Sequence, residues 1–169
     1  DVNRPGSVGI PHADYLIAAF DPETGEELDI GQEGEICIHG PTMMLGYFHN
    51  QEETDHIIRT HADGLKWVHT GDLGYVDEDG FVFICGRIKR VIIRCDGFKV
   101  YPLTVEEAIS SNENVELCAV VGAPDTESVQ GQVPVAFVKL ESGCKLSEAE
   151  AKEIIAAHCK EKLAEYQQP

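Results

Sequence analysis

Residues 67–86 read Trp67-Val-His-Thr-Gly-Asp72-Leu-Gly-Tyr-Val-Asp77-Glu-Asp-Gly80-Phe-Val-Phe-Ile-Cys-Gly86. Trp67-Val68-His69 leads into Thr70-Gly71-Asp72. Tyr75-Val76 and the run Phe81 to Cys85 then flank Asp77-Glu78-Asp79-Gly80. Aromatic and β-branched residues fit pleated strands, and Asp-Gly favours a tight turn, so the stretch predicts a β-hairpin. Towards the N-terminus the flavour stays β. Gly34-Glu-Ile-Cys-Ile-His-Gly40 alternates with period two and reads as a strand bounded by glycines. Tyr15 to Phe20 is an apolar run closed by the turn chemistry of Asp21-Pro22 and Thr24-Gly25. One short helix is expected from Asn50, with Glu53 placed to return a bond to the cap amide and Ile57 and Ile58 as its buried face.

From residue 90 the pattern changes. Val91-Ile92-Ile93 is a short β-branched run, and Thr104-Val-Glu-Glu107 reads as a capping box that opens a helix. Val115–Val121 and Val133–Leu140 read as strands. Ser147-Glu-Ala-Glu150 is a second capping box, ahead of a helix with Ile154, Ile155, Cys159 and Leu163 on one stripe. The expected class is mixed α/β of the α+β kind, a β-rich half followed by a small α+β half.

The chain has 169 residues, 30 acids against 13 bases, and a net charge of −17. That length suits one ordinary domain or two small ones. The acid excess disfavours nucleic acid and anionic lipid as partners. No apolar run approaches the roughly 20 residues of a membrane-spanning helix, and no signal peptide is visible. Six cysteines, at 37, 85, 95, 118, 144 and 159, form no Cys-x-x-Cys. Cys37, Cys85 and Cys118 stand in apolar runs, where Cys acts as a small buried hydrophobe; reduced thiols and a cytoplasmic location are expected. His39, His49, His56, His61 and His69 fall in the first half without His-x-x-x-His spacing or a paired Cys. They read as surface and strand histidines rather than a zinc site.

Charge is unevenly spread. Residues 1–88 hold 4 bases and 17 acids, and residues 89–169 hold 9 and 13. Yet Arg87, Lys89, Arg90, Arg94 and Lys99 crowd into thirteen positions with one acid, Asp96. Such a cluster reads either as a solvated, salt-bridged face or as a site for an anion such as a phosphate or nucleotide.

Six short motifs follow one another: Gly34-Glu35-Ile36; Gly40-Pro41 through Gly46-Tyr47; Trp67-x-x-Thr70-Gly71-Asp72; Gly74-Tyr75-x-Asp77-x-Asp79-Gly80; Gly86-Arg87-x-Lys89; and Gly97-Phe98-Lys99-Val100-Tyr101-Pro102. Each alone is weak, but in this order and spacing they are specific. The chain resembles the adenylate-forming superfamily of acyl-CoA synthetases, peptide-synthetase adenylation domains and luciferase-like ligases. The resemblance covers nearly the whole sequence. It implies an enzyme that activates a carboxylic acid with ATP, releases pyrophosphate, and passes the acyl group from AMP to a thiol, usually that of CoA. It implies ATP/AMP and Mg2+ as cofactors and CoA as co-substrate. Residues 1–88 would be the distorted-barrel end of the large domain, and residues 89–169 a truncated, mobile small domain.

By the same resemblance Asp72 accepts hydrogen bonds from the ribose hydroxyls, a role that suits an acceptor-only carboxylate. Arg87 also reaches the nucleotide, Lys89 is the hinge between the two half-reactions, and Gly97 borders the pantetheine tunnel. Plainer readings stand beside these: a turn residue for Asp72, an ion pair of Arg87 with Asp77 or Asp79, an exposed lysine, and a turn glycine after Asp96. Arg90, Arg94 and Lys99 could attract the CoA phosphates, but the resemblance fixes no role for them and they read as surface charge. Thr104 stands where the family usually has Glu, and Glu106 keeps the second acid. The phosphate loop, acyl pocket and magnesium-holding acid are expected ahead of residue 1, and the adenylating lysine beyond Pro169. The chain alone is therefore expected to be inactive. A carrier-loading adenylation domain and a non-catalytic scaffold relative are the competing readings. The identity of the acid and the oligomeric state are not legible.

Overall fold

The computed structural model describes residues 4–126 and 130–169. The chain divides into two compact units, Asp1–Ile88 and Lys89–Pro169.

The first unit is built on β1 (Ser7–Gly9), β2 (Leu16–Phe20), β3 (Gly34–His39), α1 (Gln51–Ile57), β4 (Ile58–Thr60), β5 (Lys66–Val76) and β6 (Val82–Arg87). The strands form one antiparallel sheet in the order β1-β6-β5-β3-β2, with β4 added to β5. The two ends of that path, β1 and β2, do not pair with each other. The described residues of the first unit thus form an open sheet with no closed barrel. Period-two alternation divides the strands between two cores. Ala19, Ile36 and Val82 pack on one side. Phe20, Cys37 and Trp67 pack in the other cluster.

β5 is the strand that matters. Its first part lies between β3 and β4, with Val68 opposite both Ile38 and Ile58. Its second part lies between β3 and β6, with Asp72 opposite Arg87 and Tyr75 stacked on Phe83. Gly74 sits where the backbones crowd: a Cβ there would lie 2.1 Å from the Phe83 carbonyl oxygen. The hairpin is present, but its turn is wider than an Asp-Gly pair alone suggests. Asp77 N–H donates to Phe81 O, Gly80 N–H to Asp77 O, and the Asp77 carboxylate accepts from the amides of Asp79 and Phe81. Gly80, at φ 84°, takes the left-handed position.

Asn50 caps α1 by accepting from Glu53 N–H, but the buried residue of this helix is Thr54, with Ile57 and Ile58 only half-buried. The reason is local: the Thr54 hydroxyl accepts from Tyr47 N–H and donates to Asn50 O, which draws that face inward.

The second unit contains β7 (Ile92–Ile93), β8 (Lys99–Val100), α2 (Pro102–Ser110), β9 (Val115–Pro124), β10 (Gln132–Leu140) and α3 (Glu148–Lys162). β7 pairs with β8, and β9 pairs with β10, both antiparallel. Ile92, Val100, Val105, Ile109, Val115, Val120, Cys159 and Leu163 form one core. Ser147 and Glu150 make the expected capping box at α3. The start of α2 differs from expectation. It begins at Pro102, with Tyr101 at the cap and no side-chain cap bond, so Thr104 lies inside the helix. Proline, whose φ is already helical and whose missing N–H is no loss in the first turn, starts it three residues early. The stripe of α3 is Ala151, Ile155, Cys159 and Leu163, spaced by four, while Ile154 is exposed.

Candidate nucleotide site at a bulge in β5

Thr70-Gly71-Asp72 falls where β5 changes neighbours. On β3 the register advances from Glu35 to Cys37, while on β5 it moves from Leu73 to His69. Two extra residues of β5 are thus accommodated opposite Ile36, as a bulge. Gly71 carries it with φ 73°, a left-handed conformation that favours glycine.

A bulge frees backbone groups from the ladder, and buried ones need other partners. Here side chains supply them. The Thr70 hydroxyl donates to Ile36 O at 2.6 Å and accepts from Asp72 N–H at 3.1 Å. Gly71 N–H donates to Glu35 Oε1 at 2.9 Å. Thr70 O accepts from Arg87 Nη1 at 3.2 Å. Glu35 is buried, and its Oε2 lies 2.8 Å from His69 Nδ1. The network continues to His61, whose Nε2 lies 2.9 Å from His69 Nε2. Burial pushes the Glu35 carboxyl up, but the bonds from His69 and Gly71 outweigh it, and the net direction is down. Burial, the largest cause, moves His61 down.

Asp72 and Arg87 face each other across β5 and β6, with Arg87 Nε 2.7 Å from Asp72 Oδ1. Neither is buried: the Asp72 side chain is 26% exposed and that of Arg87 61%. Arg87 does not pair with Asp77 or Asp79, because both are held by Arg4. A carboxylate that accepts from hydroxyls and a guanidinium with a permanent charge thus open to solvent side by side.

Two further bases of the cluster, Arg90 and Arg94, are tied within the second unit. Arg90 Nη2 donates to Glu106 Oε1 at 2.5 Å and to Val120 O at 3.2 Å. The same Glu106 oxygen accepts from Val120 N–H. Arg94 pairs with Asp96 and donates to Tyr166 O. Lys89, Lys99 and Gly97 are exposed. Gly97 forms the β7–β8 turn at φ 84°, and a Cβ added there would meet nothing within 4 Å.

Among the described residues, Glu35, Cys37 and His69 are the group of donors close enough to hold a metal, all buried and within 4.8 Å of one another. Both Glu35 oxygens already accept hydrogen bonds. Burial, with the nearby Glu35 charge, pushes the Cys37 thiol up to about 12. It is therefore no ready thiolate ligand. All six cysteines are free thiols. A cavity of about 730 Å³ lies between β10 and α3, lined by residues that include Val135, Val138, Ile155 and Cys159, and neither Asp72 nor Arg87 lines it. No helix among the described residues is long and apolar enough to cross a membrane.

The sequence singled out Asp72 and Arg87, and they meet. Glu35 stands in the first of the six motifs, but the sequence assigned no role to it or to a His69–His61 pair. The available signal was an acid at the head of the apolar Ile36-Cys37-Ile38 run.

Comparison with known proteins places the chain in a class. The model of the AMP-binding enzyme family matches residues 1–48, and that of the AMP-binding enzyme C-terminal domain matches residues 104–169. The chain belongs to the adenylate-forming, AMP-binding family. Among curated relatives, the long-chain-fatty-acid–CoA ligase of Bacillus subtilis is 40% identical over 167 residues, 99% of this chain and 28% of the relative. 4-Coumarate–CoA ligase-like 9 of Oryza sativa subsp. japonica is 39% identical over 165 residues, 98% of this chain and 28% of the relative. Among solved structures, ATP-bound MatB from Rhodopseudomonas palustris superimposes with a TM-score of 0.82 at 35% identity, covering 100% of this chain and 32% of that one. The anthranilate CoA ligase AuaEII, in complex with anthranoyl-AMP, gives 0.84 at 33% identity, covering 99% and 30%. The chain spans less than a third of the length of these relatives.

Proposed function

We propose that this chain supplies part of the nucleotide site, the hinge and much of the small domain of an ATP-dependent acid–CoA ligase. The observation that carries the proposal is the Asp72–Arg87 pair, displayed at a glycine bulge in a family whose solved members include ATP-bound and acyl-AMP-bound enzymes. Arg87 engages Oδ1 of Asp72, which leaves Oδ2 to accept from a ribose hydroxyl. The rest of the Arg87 fork serves the nucleotide's anionic side. ATP and a carboxylic acid would give acyl-AMP and pyrophosphate; the acyl group would then pass to the CoA thiol. Mg2+ would be held with the phosphates by residues outside this chain.

Lys89 is proposed as the hinge. Arg87 is anchored to Asp72 and Thr70, and Arg90 to Glu106 and Val120, so side-chain anchors flank Ile88-Lys89 on both sides. A backbone change there is absorbed over very few residues. Gly97, with open space on its Cα, would border the path of the pantetheine thiol. Lys89→Pro fixes φ and should trap one orientation, so adenylation and thioester formation should fall unequally in the full-length protein. Equal loss of both would count against the hinge.

The test is acid-dependent ATP–pyrophosphate exchange by the full-length protein over a panel of acids, with and without CoA. Exchange with one acid class plus an acyl-CoA product supports the ligase reading. Exchange without acyl-CoA points to a carrier-protein acceptor, and no exchange with any acid points to a non-catalytic relative. The 169-residue chain alone is expected to give no exchange.

A further inference from the structure

We propose that Glu35 is the positioning residue of the nucleotide site: by bridging His69 and the Gly71 amide it fixes the bulge that presents Asp72. The proposal rests on the reading of Asp72 as a ribose-binding group.

A bulge of this kind is not self-supporting. Opposite Ile36, β5 carries residues that the β3 ladder does not match, and Gly71 in its left-handed conformation has no side chain to hold it. Glu35 Oε1 accepts the Gly71 N–H in the bulge. A charge-assisted bond in a buried place is a strong one, because few alternatives solvate the carboxylate there. The carboxylate is itself held from the far side, where Oε2 accepts from His69 Nδ1. With that proton on Nδ1, His69 Nε2 is left as acceptor for His61 Nε2–H. The line His61–His69–Glu35–Gly71 therefore has a donor and an acceptor at each contact, and it ends one residue from Asp72. Asp72 N–H is fixed in turn by Thr70, whose hydroxyl is pinned to Ile36. Ile36 directly follows Glu35, so one short piece of β3 holds both sides of the bulge. Glu35 does not reach the nucleotide pair itself; it acts through the backbone on which Asp72 is mounted.

A residue that only stabilises the sheet would alter melting without altering what Asp72 recognises. The ribose hydroxyls separate the two cases. The full-length protein and its Asp72→Ala, Glu35→Ala, Glu35→Gln and double Ala variants are compared in acid-dependent exchange with ATP and with 2′,3′-dideoxy-ATP. The preference for ATP is read as a ratio of kcat/KM values. Loss of Asp72 should lower that ratio by about tenfold or more, the range of a hydrogen bond to a charged group. Glu35→Ala should lower it comparably, and the double variant should fall no further than Asp72→Ala. Glu35→Gln should stay within about threefold of wild type, because its amide oxygen still accepts from Gly71 and His69 can move its proton to Nε2. A wild-type ratio in Glu35→Ala, with only a lower melting temperature, would overturn the proposal. An unchanged ratio in Asp72→Ala would overturn the nucleotide reading and this inference with it. If Glu35→Ala does not fold, Glu35→Asp replaces it under the same criterion, since it keeps the charge but is one methylene short of spanning both partners.

Discussion

β5 and β9 are the two longest strands, 11 and 10 residues, and they are held in different ways. β9 runs beside β10 in nearly unbroken register from Pro124 to Val115. It packs Val115 and Val120 into a core with Ile92, Val100, Val105 and Ile109. Its stability is that of apolar area removed from water. β5 changes neighbours midway, skips register at Thr70–Asp72, and relies there on the buried Glu35 and His69 and on the half-buried Thr70 hydroxyl. A regular strand spreads its side chains evenly over two faces, whereas a bulge re-aims one of them. The irregular strand displays the polar pair proposed to meet the nucleotide, whereas the regular one supplies apolar core.

That contrast can be broken by substitution, and the single tryptophan makes it readable. Trp67 lies in the first unit, buried against Phe20, with its indole N–H donated to Asp63. Its fluorescence follows β5, whereas helical circular dichroism follows mainly α2 and α3. The largest effect is expected from Ile109→Ala in the fully buried core of the second unit. It should cost about 2–5 kcal/mol, the usual range for an Ile-to-Ala cavity. Denaturant curves should show the helical transition shifted and the Trp67 transition in place. An equal shift of both would merge the two units into one cooperative block.

Glu35→Ala should give the converse. It leaves Gly71 N–H without its acceptor and His69 without its partner, and unsatisfied buried groups cost about 1–3 kcal/mol. The Trp67 midpoint should fall while the helical signal holds. Acid sharpens the same point. Because the folded-state pKa of Glu35 is depressed, its contribution is fully present above the ordinary Glu value of 4.5 and is lost as pH falls through the folded value. The gap in Trp67 midpoint between wild type and Glu35→Gln should therefore close on acidification from neutral pH. A gap that widens would contradict the bonding described. The smallest effect is expected at the start of α3, where Ser147→Ala removes the capping box at a cost of about 1 kcal/mol. It should appear only in the helical signal.

Much of the first comparison was legible in the sequence, and for local reasons. Period-two alternation marks β3, aromatic and β-branched runs mark the β5–β6 hairpin, and Ser147 with Glu150 marks the start of α3. These signals need only neighbours in sequence. The start of α2 was misplaced because a capping-box pattern at Thr104 competes with Pro102, and the proline prevails. The crowding of bases between Arg87 and Lys99 stood out in the composition. Its resolution did not, since the partners Asp72 and Glu106 lie 15 and 16 positions from Arg87 and Arg90. The Glu35–His69 contact spans 34 positions and depends on a register skip that no local pattern encodes. Asp72 was found through the order of motifs. The residues that hold Asp72 in place became visible only once β3 and β5 lay side by side.

Asp72, presented by the β5 bulge, is proposed to bind the nucleotide. The most direct measurement is the KM for ATP in acid-dependent exchange by the full-length protein and its Asp72→Ala variant, with Trp67 fluorescence confirming that both are folded. KM should rise about tenfold or more at an unchanged Trp67 transition, the loss expected for hydrogen bonds to a charged acceptor. A KM within about twofold of wild type would contradict it.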